Sequence, residues 1–234
     1  METNPGYSLQ IKFTYPADFE NKEILEKLQR QFIGSFFGDT GQALTPADAA
    51  VRYIEDYINE FKEEEKEYQA KIEEHDMHSD KTWFTYEMFR SNEIIYNQDD
   101  LLSYAVRVSY YTGGAHGAYN VYNYVLDIKT GQYVLENEIF KDKYKEELSH
   151  ILVDEIVRMN EVKDAQELET IGFFDVNEIA PNRNFYIDET GITYTFNEYE
   201  IAAYAVGSVS VQLPYDKIRH LLRREGPLAK IAFR

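Results

Sequence analysis

The chain has 234 residues, of which 44% are hydrophobic and 28% charged, enough for one large domain or two small ones with buried cores. Its formal charge of −18 excludes the clustered Lys and Arg that nucleic-acid phosphates or anionic lipid require. That charge would steer a cationic partner inward, or it simply keeps a solvated acidic surface in solution. Without cysteine there is no disulfide, thiolate metal site or cysteine nucleophile. No stretch reaches the roughly 20 apolar residues of a membrane span. Met1-Glu2-Thr3-Asn4-Pro5-Gly6 lacks the basic start and apolar run of a signal peptide. A natural start there predicts a cytosolic protein; a Met1 added to a trimmed chain would hide a leader. Twenty Tyr and fourteen Phe stand against one Trp, a bias that suits half-buried sheets or a binding face.

Tyr7 to Tyr15 alternates as a strand, with Leu9, Ile11 and Phe13 on one face and Pro16 ending it. A helix is predicted from Asn21 to Phe37, with Ile24, Leu25, Leu28, Phe32 and Phe36 at helical spacing. Thr45 as N-cap, Pro46 at the first helical position and Asp48 in the first turn start a second helix. It runs through Glu63-Glu64-Glu65-Lys66-Glu67 to His75-Asp76-Met77-His78. Two His three apart could share a metal, but no thiolate or HExxH pattern supports one, and a solvated helix end is the better reading. Residues 82–97, 101–111 and 118–127 read as the strands of an antiparallel meander, with turns at Asn97–Asp100 and Thr130-Gly131. Tyr and Val line one side of it; Asn, Ser and Arg populate the other.

An amphipathic helix follows from Lys141 to Asn160, with His150 and Asp154 as a surface pair. Residues 161–181 form an acidic connection in which Ile171-Gly172-Phe173-Phe174 should plug the core. A hairpin pairs Asn184–Ile187 with Ile192–Phe196 around Asp188-Glu189-Thr190-Gly191. A strand from Ser208 to Leu213, a short helix from Pro214 and a loose basic tail from Arg223 complete the chain. The order of elements predicts an α+β fold of two consecutive small domains, 1–133 and 134–234, each with helices packed on a mostly antiparallel sheet.

The stretch Tyr110-Tyr111-Thr112-Gly113-Gly114-Ala115-His116-Gly117 joins two strands. It is either a hairpin connection that holds His116, or a glycine-walled pocket that presents an imidazole. No G-x-S-x-G elbow, phosphate-binding glycine loop, dinucleotide fingerprint or zinc-protease motif occurs, and no cofactor or metal is implied. With 42 acidic residues, carboxylate pairs carry little weight. Glu198 and Glu200 flank Tyr199 in an aromatic, glycine-bounded loop and suit hydrogen bonding to turn amides.

At Tyr111-Thr112-Gly113-Gly114-Ala115-His116-Gly117 the chain resembles a bacterial extracytoplasmic family of unknown function. Its members include the lysozyme-sensing anti-sigma factor RsiV and the non-catalytic N-terminal region of PdaC-type peptidoglycan deacetylases. A second block resembles that family's C-terminal domain. It runs from Phe185-Tyr186-Ile187, Gly191-Ile192 and Phe196 through Tyr199-Glu200-Ile201 and Tyr204-Ala205-Val206-Gly207 to Leu213-Pro214-Tyr215. The family pattern has Pro before Tyr204 where this chain has Ala203. The resemblance implies two α+β domains outside the cytoplasmic membrane, behind a leader or anchor not contained in this sequence. The metal-binding Asp-Asp pattern and paired-His motif of the deacetylase domain are missing, so deacetylation is not implied. The sigma-factor-binding segment and membrane span are missing as well, so regulation is not implied either.

The resulting expectation is a non-enzymatic cell-envelope binding or sensor module, with a basic protein such as lysozyme, or peptidoglycan, as partner and no nucleic acid. The two blocks nominate Tyr111, Thr112, Gly113, Gly114, His116, Tyr199, Glu200 and Tyr204 as binding residues. The alternatives are a hydrolase that uses His116 with an acid near Glu198 or Glu200, and a purely structural envelope lipoprotein.

Overall fold

The computed structural model describes residues 6–38, 44–75, 85–113 and 115–234. The first part comprises β1 (Gly6–Lys12), α1 (Lys22–Phe37), α2 (Pro46–His75), β2 (Thr85–Gln98), β3 (Leu101–Tyr111), β4 (Ala118–Asp127) and β5 (Gln132–Tyr133). The second comprises α3 (Glu136–Ile139), α4 (Tyr144–Met159), α5 (Ala165–Thr170), β6 (Phe185–Ile187), β7 (Gly191–Phe196), β8 (Val209–Pro214), α6 (Tyr215–Ile218) and α7 (Ala229–Ala232). The strands form a five-stranded sheet in the order β1-β2-β3-β4-β5 and a three-stranded sheet in the order β6-β7-β8. This is a two-part α+β fold, as the order of elements predicts. The meander is antiparallel, but β1 pairs parallel with β2 because two helices intervene and carry the chain back to the same end.

Local chemistry sets the helix starts. The Asn21 side chain accepts from the N–H groups of Glu23 and Ile24 and opens α1, while Thr45 Oγ1 accepts from the Asp48 N–H and opens α2. α1 lays Leu28, Phe32 and Phe36 on the face of the first sheet that carries Tyr104, Val106 and Val108. Phe32 stacks on Tyr104 at 4.3 Å, and Tyr104 stacks on Tyr124 at 5.2 Å. In β2 the pairing slips between Ile94 and Tyr96. Because side chains alternate along a strand, one inserted residue moves Tyr96 to the opposite face, where it joins the core of the second part. His78 lies outside the described residues, and with it the expected His75–His78 helix end.

In the second part, Leu148, Leu152 and Ile156 of α4 cluster with Ile192, Tyr194, Phe196, Val211 and Leu213 of the small sheet. All six residues of β7 are buried. Its other face, Thr193 and Thr195, packs toward the large sheet rather than toward water. There Asn123 Nδ2 donates to Thr195 Oγ1 at 2.9 Å, and Ser103 Oγ accepts from the Ile187 N–H at 3.1 Å. Hydrogen bonds thus join the sheets beside an apolar contact in which Tyr96, Leu101 and Val125 of the large sheet enter the second core.

Three expectations need correction. The connection 161–181 contains α5, capped by Asp164, and only Phe173 of its apolar cluster is buried; Ile171 and Phe174 are each 45% exposed. Gly172, at φ 107°, makes the sharp bend that turns Phe173 inward. The tail is not loose. Leu228, Ile231 and Ala232 are buried, Lys230 pairs with Asp100, and Arg234 pairs with Asp99, so apolar anchors and opposite charge dock it on the β2–β3 turn. His150 and Asp154 form no hydrogen bond or ion pair with each other, since a helix spacing of four permits contact without requiring it.

One buried acid ties α4 to α6. Glu155, with an 8% exposed side chain, accepts from Arg158 at 2.5 Å and from Lys217 at 2.8 Å. The Arg158 guanidinium holds its carboxyl below the usual carboxylate range. A carboxyl depressed by folding contributes stability above its unfolded value of about 4.3, and that stability is lost as pH falls through the folded value. The melting-temperature gap between the wild type and Glu155→Gln should therefore be open at pH 6–7 and close below about pH 4. An unchanged gap at pH 3 would refute this assignment.

Candidate functional site

Between β3 and β4 the backbone doubles back tightly. Gly113 takes φ 77°, in the left-handed region that suits glycine, and Gly114 lies outside the described residues. At Gly117 a Cβ would stand 2.9 Å from the Tyr110 carbonyl oxygen, so the two backbones meet where no side chain fits. This close turn sets His116 outward against the turn at Tyr204–Val206. The imidazole stacks on the Tyr204 ring at 4.0 Å and 21°, and Tyr204 stacks on Tyr199 at 5.7 Å and 27°. The Tyr204 hydroxyl donates to the Gly117 carbonyl at 3.2 Å, and His116 Nδ1 lies 3.1 Å from the same oxygen. A carbonyl oxygen only accepts, so that second contact places a proton on Nδ1. Tyr199 is 57% exposed and holds φ 64°, a left-handed conformation that costs a bulky residue about 1 kcal/mol or more.

Ala203 lies at φ −63°, the value proline would impose, yet its N–H donates to the Gly172 carbonyl at 2.8 Å. Alanine keeps the extended turn and adds a bond that proline could not make.

The structure brings His116, Tyr199 and Tyr204 together as one stack, with His116 and Tyr199 exposed and Tyr204 half-buried between them. Tyr111 ends β3 opposite Glu87, and Thr112 and Gly113 follow it in the turn. Glu200 points elsewhere: its carboxylate accepts from the Asn197 N–H at 2.8 Å and from Asn182 Nδ2 at 2.6 Å. Glu198 accepts from the Tyr119 N–H at 3.3 Å. Among the described residues neither carboxylate is bonded to His116. No group of three or more His, Asp or Glu that could hold a metal occurs among them either.

Sequence reasoning missed a clasp beside this stack. The outer edge of β4 is paired by β5 only at Leu126 and Asp127; farther up, side chains take the place of a strand. Asn184 Oδ1 accepts from the Asn123 N–H at 2.8 Å, while its Nδ2 donates to the Val121 carbonyl at 2.9 Å. Asn197 Oδ1 accepts from the Val121 N–H at 2.8 Å, and its Nδ2 donates to the Val121 carbonyl at 3.1 Å. A carboxamide carries the same donor and acceptor as a peptide unit, so it can continue a ladder. The asparagines of Asn182-Arg183-Asn184 and Asn197 read as turn residues, and turn chemistry does not reveal which strand edge they meet.

Sequence reasoning also missed a cleft of about 500 Å³ where β4 and β5 meet α3, the start of α4 and β6. Its floor is built on Glu136, a buried carboxylate that accepts from the Tyr144 hydroxyl at 2.8 Å and from the Arg183 N–H at 3.0 Å. Burial, followed by the bond to Glu136, pushes the Tyr144 phenol far up, whereas the Arg183 charge pulls it down. Burial, reinforced by Tyr133, pushes Tyr124 on the opposite wall up to about 12. Both phenols stay neutral, and the Tyr144 hydroxyl already donates its proton to the bond with Glu136.

No helix among the described residues is long and apolar enough to cross a membrane. Residues 2–119 match the family model described as Deacetylase PdaC, and residues 137–216 match that of DUF3298, a protein of unknown function. No curated protein matches the chain. A solved DUF3298-family structure from Bacteroides fragilis NCTC 9343 is 29% identical, with a TM-score of 0.88 over 96% of this chain and 87% of that one. A DUF3298-family protein from Pseudomonas aeruginosa PAO1 shares the fold at 13% identity, with a TM-score of 0.56 over 86% of this chain and 80% of that one. Matched over half of its length, the chain belongs to the PdaC family, and its second half carries a DUF3298 region.

Proposed function

We propose that the protein is a non-enzymatic binding module of the cell envelope, and that the His116–Tyr204–Tyr199 stack is its contact surface. The observation that carries this reading is the exposed stack itself. The Gly117 carbonyl ties the His116 and Tyr204 rings together, and Tyr199, at one end of the stack, is kept in a strained left-handed conformation that only a tightly determined local structure maintains. Exposed, pre-ordered aromatic side chains supply contact area at low entropic cost. The deacetylase activity in the family's name is not carried over, because the metal motifs of that chemistry are absent from this sequence. The extracytoplasmic setting and the RsiV-like sensor role follow from the resemblance at Tyr111–Gly117 and Tyr199–Gly207. A charge of −18 favours a basic protein such as animal-type lysozyme over wall glycan as the ligand of this surface.

Titration with lysozyme at low salt and again near 1 M, where screening acts over roughly 3 Å, tests the reading. We expect one-to-one binding that persists at high salt and weakens at least tenfold in Tyr199→Ala, with no loss of melting temperature. Binding that vanishes with salt is general attraction between opposite charges and overturns the lysozyme assignment. An equal affinity in Tyr199→Ala removes the stack as the contact.

A further inference from the structure

We infer that the cleft between β4, β5 and the start of α4 is a second binding site, and that it takes a short sugar bearing a carboxylate. The inference uses the envelope reading only in choosing a wall sugar as ligand. At about 500 Å³ the cleft falls within the range of small-molecule sites and has room for a disaccharide. It lies at the junction of the two parts of the fold, a common place for such sites.

The lining has the division of labour that a sugar acid needs. Tyr124 and Tyr133, with ring centroids 5.6 Å apart, supply aromatic surface for the apolar face of a pyranose, and Leu135, 55% exposed, extends it at the rim. Asn137 adds an exposed carboxamide for hydroxyl or acetamido groups. Asn123 on the inner wall is only 6% exposed, and its Oδ1 is buried without a hydrogen-bond partner. Lys145 and Arg183 bring two positive charges to the cleft. Neither forms an ion pair among the described residues, although the chain has 42 acids to offer. The one carboxylate in the wall, Glu136, is already engaged by Tyr144 and by the Arg183 backbone, so it holds the wall rather than repelling a ligand. Arg183 itself sits at φ 65°, fixed there by that bond to Glu136. In an acidic protein, a tyrosine-lined cleft that retains two unpaired cations selects a small ligand with one anionic group.

The test uses the full chain and isothermal titration with two probes. One is the disaccharide of N-acetylglucosamine and N-acetylmuramic acid; the other is diacetylchitobiose, which keeps the rings and acetamido groups but lacks the carboxylate. We expect the muramic disaccharide to bind at least tenfold more tightly than diacetylchitobiose. That preference should be lost in Lys145→Glu, an exposed change, and in Arg183→Asn, whose new residue tolerates the left-handed backbone. Tyr199→Ala should leave it intact. Equal binding of the two probes, or unchanged selectivity in both cation variants, overturns the assignment. If lysozyme binds and neither sugar does, the cleft assignment fails while the binding-module reading stands; if the sugar binds and lysozyme does not, the cleft assignment stands and the lysozyme assignment fails.

Discussion

Replacing Asn184 by alanine should lower the unfolding free energy by about 1–3 kcal/mol, although the residue lies in a loop and carries no charge. Its carboxamide receives the Asn123 N–H and donates to the carbonyls of Val121 and Thr195, all within 2.9 Å. Alanine leaves the Asn123 N–H without a partner, at about 1–3 kcal/mol, and takes one of two donors from each carbonyl, which keep Asn197 Nδ2 and Asn182 Nδ2; entering water recovers part of the loss. Asn184→Asp separates the donor from the acceptor. The carboxylate still accepts from Asn123 but turns negative oxygen toward two carbonyls, so at neutral pH it should destabilise at least as much as alanine. Acid should relieve part of that defect, because a protonated carboxyl can donate again. Urea unfolding gives the magnitudes, and hydrogen exchange at the Asn123 amide gives the location. A loss below 1 kcal/mol with that amide still protected would mean the clasp does not hold the two sheets together.

Gly191→Ala should cost about 3 kcal/mol, and the cause is backbone. An added Cβ would lie 2.2 Å from the Leu213 carbonyl oxygen and 3.0 Å from Pro214 Cα, and neither atom can rotate away as a side chain would. Relief requires β7 to separate from β8 at the Gly191–Pro214 pair. β7 is the strand least able to move, because all six of its residues are buried between α4 and the large sheet. Overpacking of this kind costs about 1–3 kcal/mol even where side chains can adjust. At about 2–4 °C per kcal/mol for a chain of this size, the melting temperature should fall by about 6–12 °C. Gly34→Ala is the matched control. It sits inside α1 with nothing within 4 Å of the new methyl, so helix propensity alone should stabilise it by about 0.5–1 kcal/mol. A Gly191→Ala protein as stable as the wild type would refute the close approach at β8.

The elements of this fold were legible wherever a periodic apolar pattern met a local stop signal. Asn21, Thr45 with Pro46, and the turn at Asp188–Gly191 mark their boundaries because capping and turn chemistry act within a few residues. Periodicity did not show what lies against each face. Thr193 and Thr195 alternate with Ile192 and Tyr194 as solvent-facing residues would, yet they are buried against a second polar sheet surface. The tail from Arg223 reads as loose because its basic charges stand out, while its docking depends on acids more than a hundred residues away at Asp99 and Asp100. In the site, the aromatic and glycine motifs marked His116, Tyr199 and Tyr204, but the meeting of their rings is a tertiary fact. Arg183, Lys145 and Glu136 carry no motif, because a cleft assembled from β4, α3, α4 and a turn has no fixed spacing in the chain.

The side-chain clasp on β4 also sets a timetable for synthesis. A ribosome completes β4 well before it reaches Asn184 and Asn197, and at ordinary elongation rates of 5–20 residues per second the gap to Asn184 lasts roughly 3–10 s. During that interval the nascent large sheet has an unprotected row of peptide groups from Tyr119 to Asn123, the kind of edge onto which another chain can add a strand. Slower translation between the two segments lengthens the exposure, and a chain cut before Asn184 never ends it.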